Sequence, residues 1–243
     1  MSSGGERRLR ILGRLAEGDP DDGASQRLCR VCAEATVMTG AGIMLMSGDV
    51  PRGSVCTTDG VSHLIEQLQY DLGEGPCVDA YQLDLPVLEP DLADPVTPRW
   101  LAFTPPATAA GARAVFGFPL RVGAVRLGAL NLYCDRSGPL TDEQHADALV
   151  MAEVAAQSVL LLQAKAPEGM VAAELEAGAD FQYVVHQAAG MVAAQLDTSV
   201  ADAHIRLRAH AFGADRHVDD VGRDVVARML RFDPASGEAK PTP

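Results

Sequence analysis

The sequence predicts an α+β domain, an antiparallel sheet flanked by helices, followed by an all-α bundle of three short helices. Three observations carry this. The runs Ala114–Leu120 and Val125–Tyr133 are rich in strand-forming residues and flank Arg121-Val122-Gly123-Ala124, a turn in which Gly123 is free to take positive φ, so they read as a hairpin. Thr141-Asp142-Glu143-Gln144 has the form of a capping box, in which the threonine hydroxyl and the glutamine amide satisfy each other's orphan N–H groups at the start of a helix. From Phe181 onward the apolar residues recur at helical spacing in three runs, 181–196, 199–212 and 217–232.

The remaining elements follow in order. Glu6–Leu15 suits a helix, and the turn-rich stretch Gly18–Gly23 ends it. Leu28, Val31, Cys32 and Ala35 give Ser25–Val37 a helical stripe. Ala41–Met46 and Ser54–Thr58 are short strands, and Leu64, Ile65 and Leu68 mark a helix over 62–72 that stops at Leu72-Gly73-Glu74-Gly75-Pro76. The proline-rich stretch 86–106 reads as irregular around one short strand, Val87–Glu89. The capped helix is expected to reach Ala164. One stripe, Ala146, Val150, Val154 and Leu161, suits the sheet; a second, Leu149, Ala152, Ala156 and Val159, has coiled-coil spacing and predicts a homodimer. The predicted organisation is therefore a first domain over 1–164 with a dimerising last helix, a helical connector over 165–178, a helical domain over 179–233 that begins its second helix at a cap in Asp197-Thr198-Ser199, and a disordered tail over 234–243.

The composition, 47% hydrophobic and 22% charged, is that of a globular chain. No uninterrupted apolar run suggests a membrane span, and the opening residues lack a secretory apolar region. Five irregularly spaced cysteines predict no disulfide framework and a cytoplasmic location. The net charge of −13 argues at first against nucleic acid. Residues 1–180, however, hold 13 basic and 25 acidic side chains, whereas 181–243 hold 7 and 8 together with four of the six histidines. This asymmetry predicts two units with different tasks.

The element order of the first part resembles a GAF domain, and Leu72–Ala80 (LGEGPCVDA) resembles the corresponding stretch of GAF domains that precede ANTAR modules. Val185–Val192 resembles the first ANTAR helix, usually written around Ala-Lys-Gly; Ala203–Ala211 resembles the second, with Leu207-Arg208 in place; Val221 and Val225–Ala227 match the apolar positions of the third. The chain departs from that pattern at Ala189, where lysine is common, and at Gln182, where arginine is common. The resemblance implies a non-enzymatic regulator of transcription antitermination that binds structured RNA hairpins, usually as a dimer. It also implies a small-molecule pocket in the GAF part, walled by Gly73, Glu74, Gly75 and Cys77, with the ligand or cofactor unknown.

The helical wheel refines the RNA face. In the first helix Phe181, Val184, Val185, Ala188, Val192 and Leu196 share the core side, and Gln182, His186, Ala189 and Ala193 share a flank able to approach RNA. In the second helix Val200, Ala203, Leu207 and Ala211 form the core stripe. Arg208 with Phe212 could hold an unstacked base, and Arg206 could attract phosphate. Ile205 and Phe212 are expected to pack on the third helix or a partner, which leaves Arg208 the leading RNA contact.

Other chemistries fit less well. Cys29-x-x-Cys32 lies in a helical pattern without a thioredoxin-like context. Cys77 raises the methionine sulfoxide reduction carried out by some GAF proteins. His204, His210 and His217 lack zinc-site spacing. A DNA-reading helix would have to present His217–Asp224, whose acidic side chains repel phosphate. A dimer acting only through protein partners is the remaining alternative.

Overall fold

The computed structural model describes residues 4–17, 23–47, 50–95, 97–164, 180–234, 237 and 239–241, so the predicted connector over 165–178 lies outside the described residues. They form two compact units, one of residues up to 164 except 71–73, the other of 71–73 and the residues from 180 on.

The first unit runs α1 (Gly4–Ala16), α2 (Ala24–Thr36), β1 (Gly40–Ser47), β2 (Val50–Thr57), α3 (Gly60–Leu72), α4 (Pro76–Leu83), β3 (Val87–Glu89), α5 (Thr104–Ala109), β4 (Ala114–Val122), β5 (Val125–Cys134) and α6 (Asp142–Ala164). Its five strands form one antiparallel sheet in the order β2-β1-β5-β4-β3. The expected hairpin is present, with Gly123 at φ +60° in its turn. Two helices were not foreseen. Both begin with proline in the first turn, Pro76 in α4 and Pro105 in α5; proline's missing N–H costs nothing there, so residues that look like breakers open a helix.

Side chains alternate across the sheet. One face, carrying Ala41, Ile43, Phe116, Phe118, Leu120, Leu130 and Leu132, joins Leu28, Val31 and Cys32 of α2 and Met151, Val154 and Ala155 of α6 in the main core. The capping box opens α6 as expected: the Gln144 N–H donates to Thr141 Oγ1 at 3.2 Å, and the Thr141 N–H donates to Gln144 Oε1 at 3.0 Å.

The dimer seam on α6 is corrected. Ala152, Ala156 and Val159 are buried within the same core as Ile11 of α1, and only Leu149 of that stripe is exposed. Helix α1 packs on α6, held by Arg7 to Glu143 and Asp147, Arg10 to Asp147, and Arg8 to Gln157. The second apolar face of α6 is therefore satisfied within the chain. Leu161, expected on the sheet, is 64% exposed. Helix α6 is long and apolar enough by composition to cross a membrane, yet its apolar residues serve this core.

The cysteine expectation is also corrected, because Cys29 of α2 and Cys56 of β2 form a disulfide. Cys32, one turn from Cys29, is a free buried thiol. The bridge joins residues 27 apart in sequence that only the α2-to-sheet packing brings together.

The second unit contains α7 (Asp180–Leu196), α8 (Val200–Gly213), α9 (Val218–Val226), β6 (Leu230–Phe232) and β7 (Ala239–Pro241). Val185, Ala188, Val192, Ala203, Leu207, Ala211, Val221 and Val225 are buried at its centre. Ser199 caps α8, accepting from the Asp202 N–H at 3.1 Å. The third helix is shorter than the expected 217–232, because Leu230–Phe232 turns into a strand. That strand pairs with Ala239–Pro241, residues expected to be a disordered tail. Phe232, 2% exposed, anchors the hairpin and supplies the burial that a polar tail lacks by itself.

Candidate functional site

The other face of the sheet carries Gly42, Asn131 and Gly117 in one row across β1, β5 and β4. A side chain at Gly117 would collide with the Pro76 carbonyl oxygen, and one at Gly42 would collide with the Glu66 carboxyl. The two glycines thus let α3 and α4 approach the strands closely. Helix α3 turns Ile65, Glu66, Gln69 and Tyr70 inward, while the predicted Leu64 and Leu68 are only half-buried. Glu66, Gln69 and Asn131 are 2%, 0% and 1% exposed.

This cluster is short of partners. Neither Glu66 oxygen, nor Gln69 Nε2, nor Asn131 Oδ1 makes a hydrogen bond among the described residues. The Asn131 side chain lies near enough to favour the ionised Glu66. Burial outweighs it and pushes the carboxyl up to about 8. Gln69 Oε1 is used, accepting from the Cys77 N–H at 2.7 Å. Sequence reading missed Glu66, Gln69 and Asn131. The one signal was an asparagine in the middle of the apolar strand Val125–Cys134.

The predicted pocket residues serve another purpose. Gly75 has φ +132° and forms the N-cap of α4, and Gly73 has φ +67°. Glu74 Oε1 accepts from the Ala102 and Phe103 N–H groups at 2.8 and 2.9 Å, which fastens the loop before α5. Cys77 is fully buried, and burial, with Glu66 nearby, holds its thiol well above the ordinary value. This segment forms a turn, and its Cys77 N–H joins it directly to the inward polar cluster through Gln69.

The second candidate region is on the helical unit. Ala189, expected on the RNA-approaching flank, is fully buried and belongs to the core of α7, as does Ala193. His186 of that flank is half-buried and lies 3.1 Å from His204 of α8. Burial, with His186 and Arg208 nearby, lowers His204 to about 4. The side chain of Gln182 lies outside the described part of the structure.

Helix α8 differs from expectation in the opposite sense. Ile205 and Phe212, expected to be packed, are 62% and 65% exposed. With Ala201 and Ala209, also exposed, they form an apolar stripe. Arg206, exposed, and Arg208, half-buried, flank it. Two other arginines of the unit are tied up, Arg216 to Asp224 at 2.8 Å and Arg223 to Asp219 and Asp220. Among the described residues Arg206 has no ion pair.

A five-stranded antiparallel sheet between two helical layers, with buried polar groups under one of them, defines a sensor-type α+β domain, here joined to a helical unit. The GAF domain family profile matches residues 22–159. This chain belongs to the GAF family, a sensing and signalling domain, and the family match ends before the helical unit. Similar solved structures include the GAF domain of a phosphoenolpyruvate-protein phosphotransferase from Coxiella burnetii, 15% identical with a TM-score of 0.49 over 67% of this chain and 95% of that one. A domain of a putative two-component sensor histidine kinase protein from Sinorhizobium meliloti is 19% identical, with a TM-score of 0.47 over 57% and 90%. A type II free methionine-R-sulfoxide reductase from Thermoplasma acidophilum is 18% identical, with a TM-score of 0.42 over 64% and 93%. No curated protein matches the chain.

Proposed function

We propose that the chain is a regulator in which the GAF domain senses a small ligand and the helical unit binds structured RNA hairpins in the manner of ANTAR antitermination proteins. One observation carries the RNA half of this reading: α8 exposes Phe212 and Ile205 beside Arg206 and Arg208. Unstacked loop bases are recognised by aromatic rings and guanidinium planes. The sensor half is supported by Glu66, Gln69 and Asn131, whose unmet hydrogen-bonding capacity a bound polar ligand would satisfy. A binding protein rather than an enzyme is supported by Cys77, a thiol kept protonated and inaccessible. Leu149 and Leu160, exposed on one side of α6, replace the buried seam as the proposed homodimer contact.

The test is titration of the full chain against RNA hairpins with randomised loops, followed by sequencing of the bound fraction. Enrichment of particular loops, lost in Arg208→Ala, is the expected result. Binding that does not distinguish loops from fully paired stems overturns it. A second reading, docking of a protein partner on the same stripe, is favoured by the burial of Ala189 and by the near-neutral balance of this unit. It predicts no enrichment of any loop.

A further inference from the structure

Helix α8 and the β6–β7 hairpin enclose an open cleft of about 390 Å³, lined by Arg206, Ala209, His210, Phe232, Gly237 and Ala239. We infer that this cleft receives one unpaired nucleotide of a bound RNA, its base against Ala209 and Ala239 beside the His210 imidazole and its phosphate on Arg206; the inference rests on the RNA-binding reading above.

Four features of the cleft point to this ligand. Its volume lies within the range of small-molecule sites, which reach down to roughly 300 Å³, and its lining combines apolar Ala209, Phe232 and Ala239 with polar Arg206 and His210. His210 meets Phe232 edge to face, with ring centroids 5.9 Å apart, which holds the imidazole in place in the cleft wall. Burial, with Arg216 nearby, keeps His210 below the ordinary imidazole value, so at neutral pH it offers one donor and one acceptor to a base edge. Arg206 lies directly over Gly237: a Cβ there would come within 2.6 Å of its guanidinium, and the backbone, at φ +71°, is one that side chains rarely adopt. A bare backbone in this position lets the cation lie across the mouth of the cleft. The cleft also adjoins the exposed stripe through Ala209, so a loop stacked on Phe212 and Ile205 could place its next base here.

The hairpin that closes the cleft comes from the polar C-terminal segment. Phe232 and Ala239 face each other across it in register. Among the described residues, therefore, the site depends on the pairing of Ala239–Pro241 with Leu230–Phe232.

The experiment uses the full chain and a fluorescent RNA hairpin pool with a randomised loop containing 4-thiouridine. Expected are photo-crosslinks to peptides containing His210 or Ala239. Arg206→Ala should lose about tenfold in affinity, Arg206→Lys should recover part of it, and Ala239→Trp, which fills the cleft, should lose at least as much, the loss of a stacked base being of this order. Thermal melting monitors folding; if Ala239→Trp does not fold, Arg206→Ala, at an exposed side chain, decides. Wild-type affinity in folded Ala239→Trp or in Arg206→Ala, or crosslinks confined to α8 residues outside the cleft, overturns the cleft assignment and leaves RNA binding standing. No binding of the pool by the wild type overturns both. Adenosine or uridine monophosphate competing as well as the hairpin would show a free-nucleotide site and overturn the loop assignment.

Discussion

At the residue scale two buried titratable side chains, Glu66 and His204, impose opposite pH dependences on the two units. Glu66 has a folded value of about 8 against 4.5 ordinarily. The folded state therefore holds a proton that the unfolded state releases. The stability it permits is complete below the unfolded value and is lost as pH rises from there through about 8. Glu66→Gln keeps the shape without the charge, so its GAF domain should show a flatter stability curve over that window and a gain on the order of a few kcal/mol at alkaline pH. Urea denaturation followed across this range reads it; an unchanged slope would place the proton elsewhere. His204 runs the other way, with a folded value of about 4 against 6.5. Its contribution is present above the unfolded value and is lost as pH falls from 6.5 towards 4. Histidine NMR titration should find His204 neutral at pH 5.5, and a chemical shift moving midway near 6.5 would refute the buried pairing with His186.

At the element scale α6 shows how one helix can be read correctly in extent and misread in its partners. Its start rests on local hydrogen bonds, and Thr141→Ala should cost about 1 kcal/mol. Its second apolar stripe is indistinguishable by spacing from a coiled-coil seam, yet α1 occupies it. Ala152→Glu or Ala156→Glu should consequently destabilise the domain by about 4 kcal/mol or more, since each buries an unpaired charge. Circular dichroism melting would detect this, whereas a folded monomer at the same stability would restore the seam to a dimer contact. The Cys29–Cys56 bridge is a second long-range element link. Closing a loop between residues 27 apart, it should contribute about 3 kcal/mol, read as the difference in denaturant midpoint with and without reductant.

At the scale of the whole molecule, charge is the limiting resource for RNA binding. The first 180 residues are strongly acidic, and in the helical unit Arg216 and Arg223 are committed to aspartates. With Arg206 and Arg208 the two cations that α8 offers to RNA, the slope of log K against log salt should be no steeper than about −1.4, that of two phosphate contacts to a single strand. A slope several times steeper would demand a basic surface that this chain does not present on α8. Ala189→Lys, which spacing alone would nominate to strengthen binding, should instead destabilise α7, because the position is fully buried.

Much of the architecture was legible because it depends on near neighbours in the chain. The β4–β5 hairpin, the capping box of α6 and the Ser199 cap are written in residues a few positions apart, and GAF membership follows from the order of such elements. Helical periodicity likewise located α7 and α8. Tertiary structure decided which polar residues are inside and which apolar ones are outside. Glu66 and Gln69 face inward because Gly42 and Gly117 admit α3 and α4 to the sheet. Ile205 and Phe212 face outward because Ala203, Leu207 and Ala211 already fill the side of α8 that meets the bundle. The tail becomes a strand because Phe232 is buried where its partner can pair. Each of these depends on side chains far apart in sequence meeting in space, and periodicity along one segment carries no information about what the opposing surface supplies.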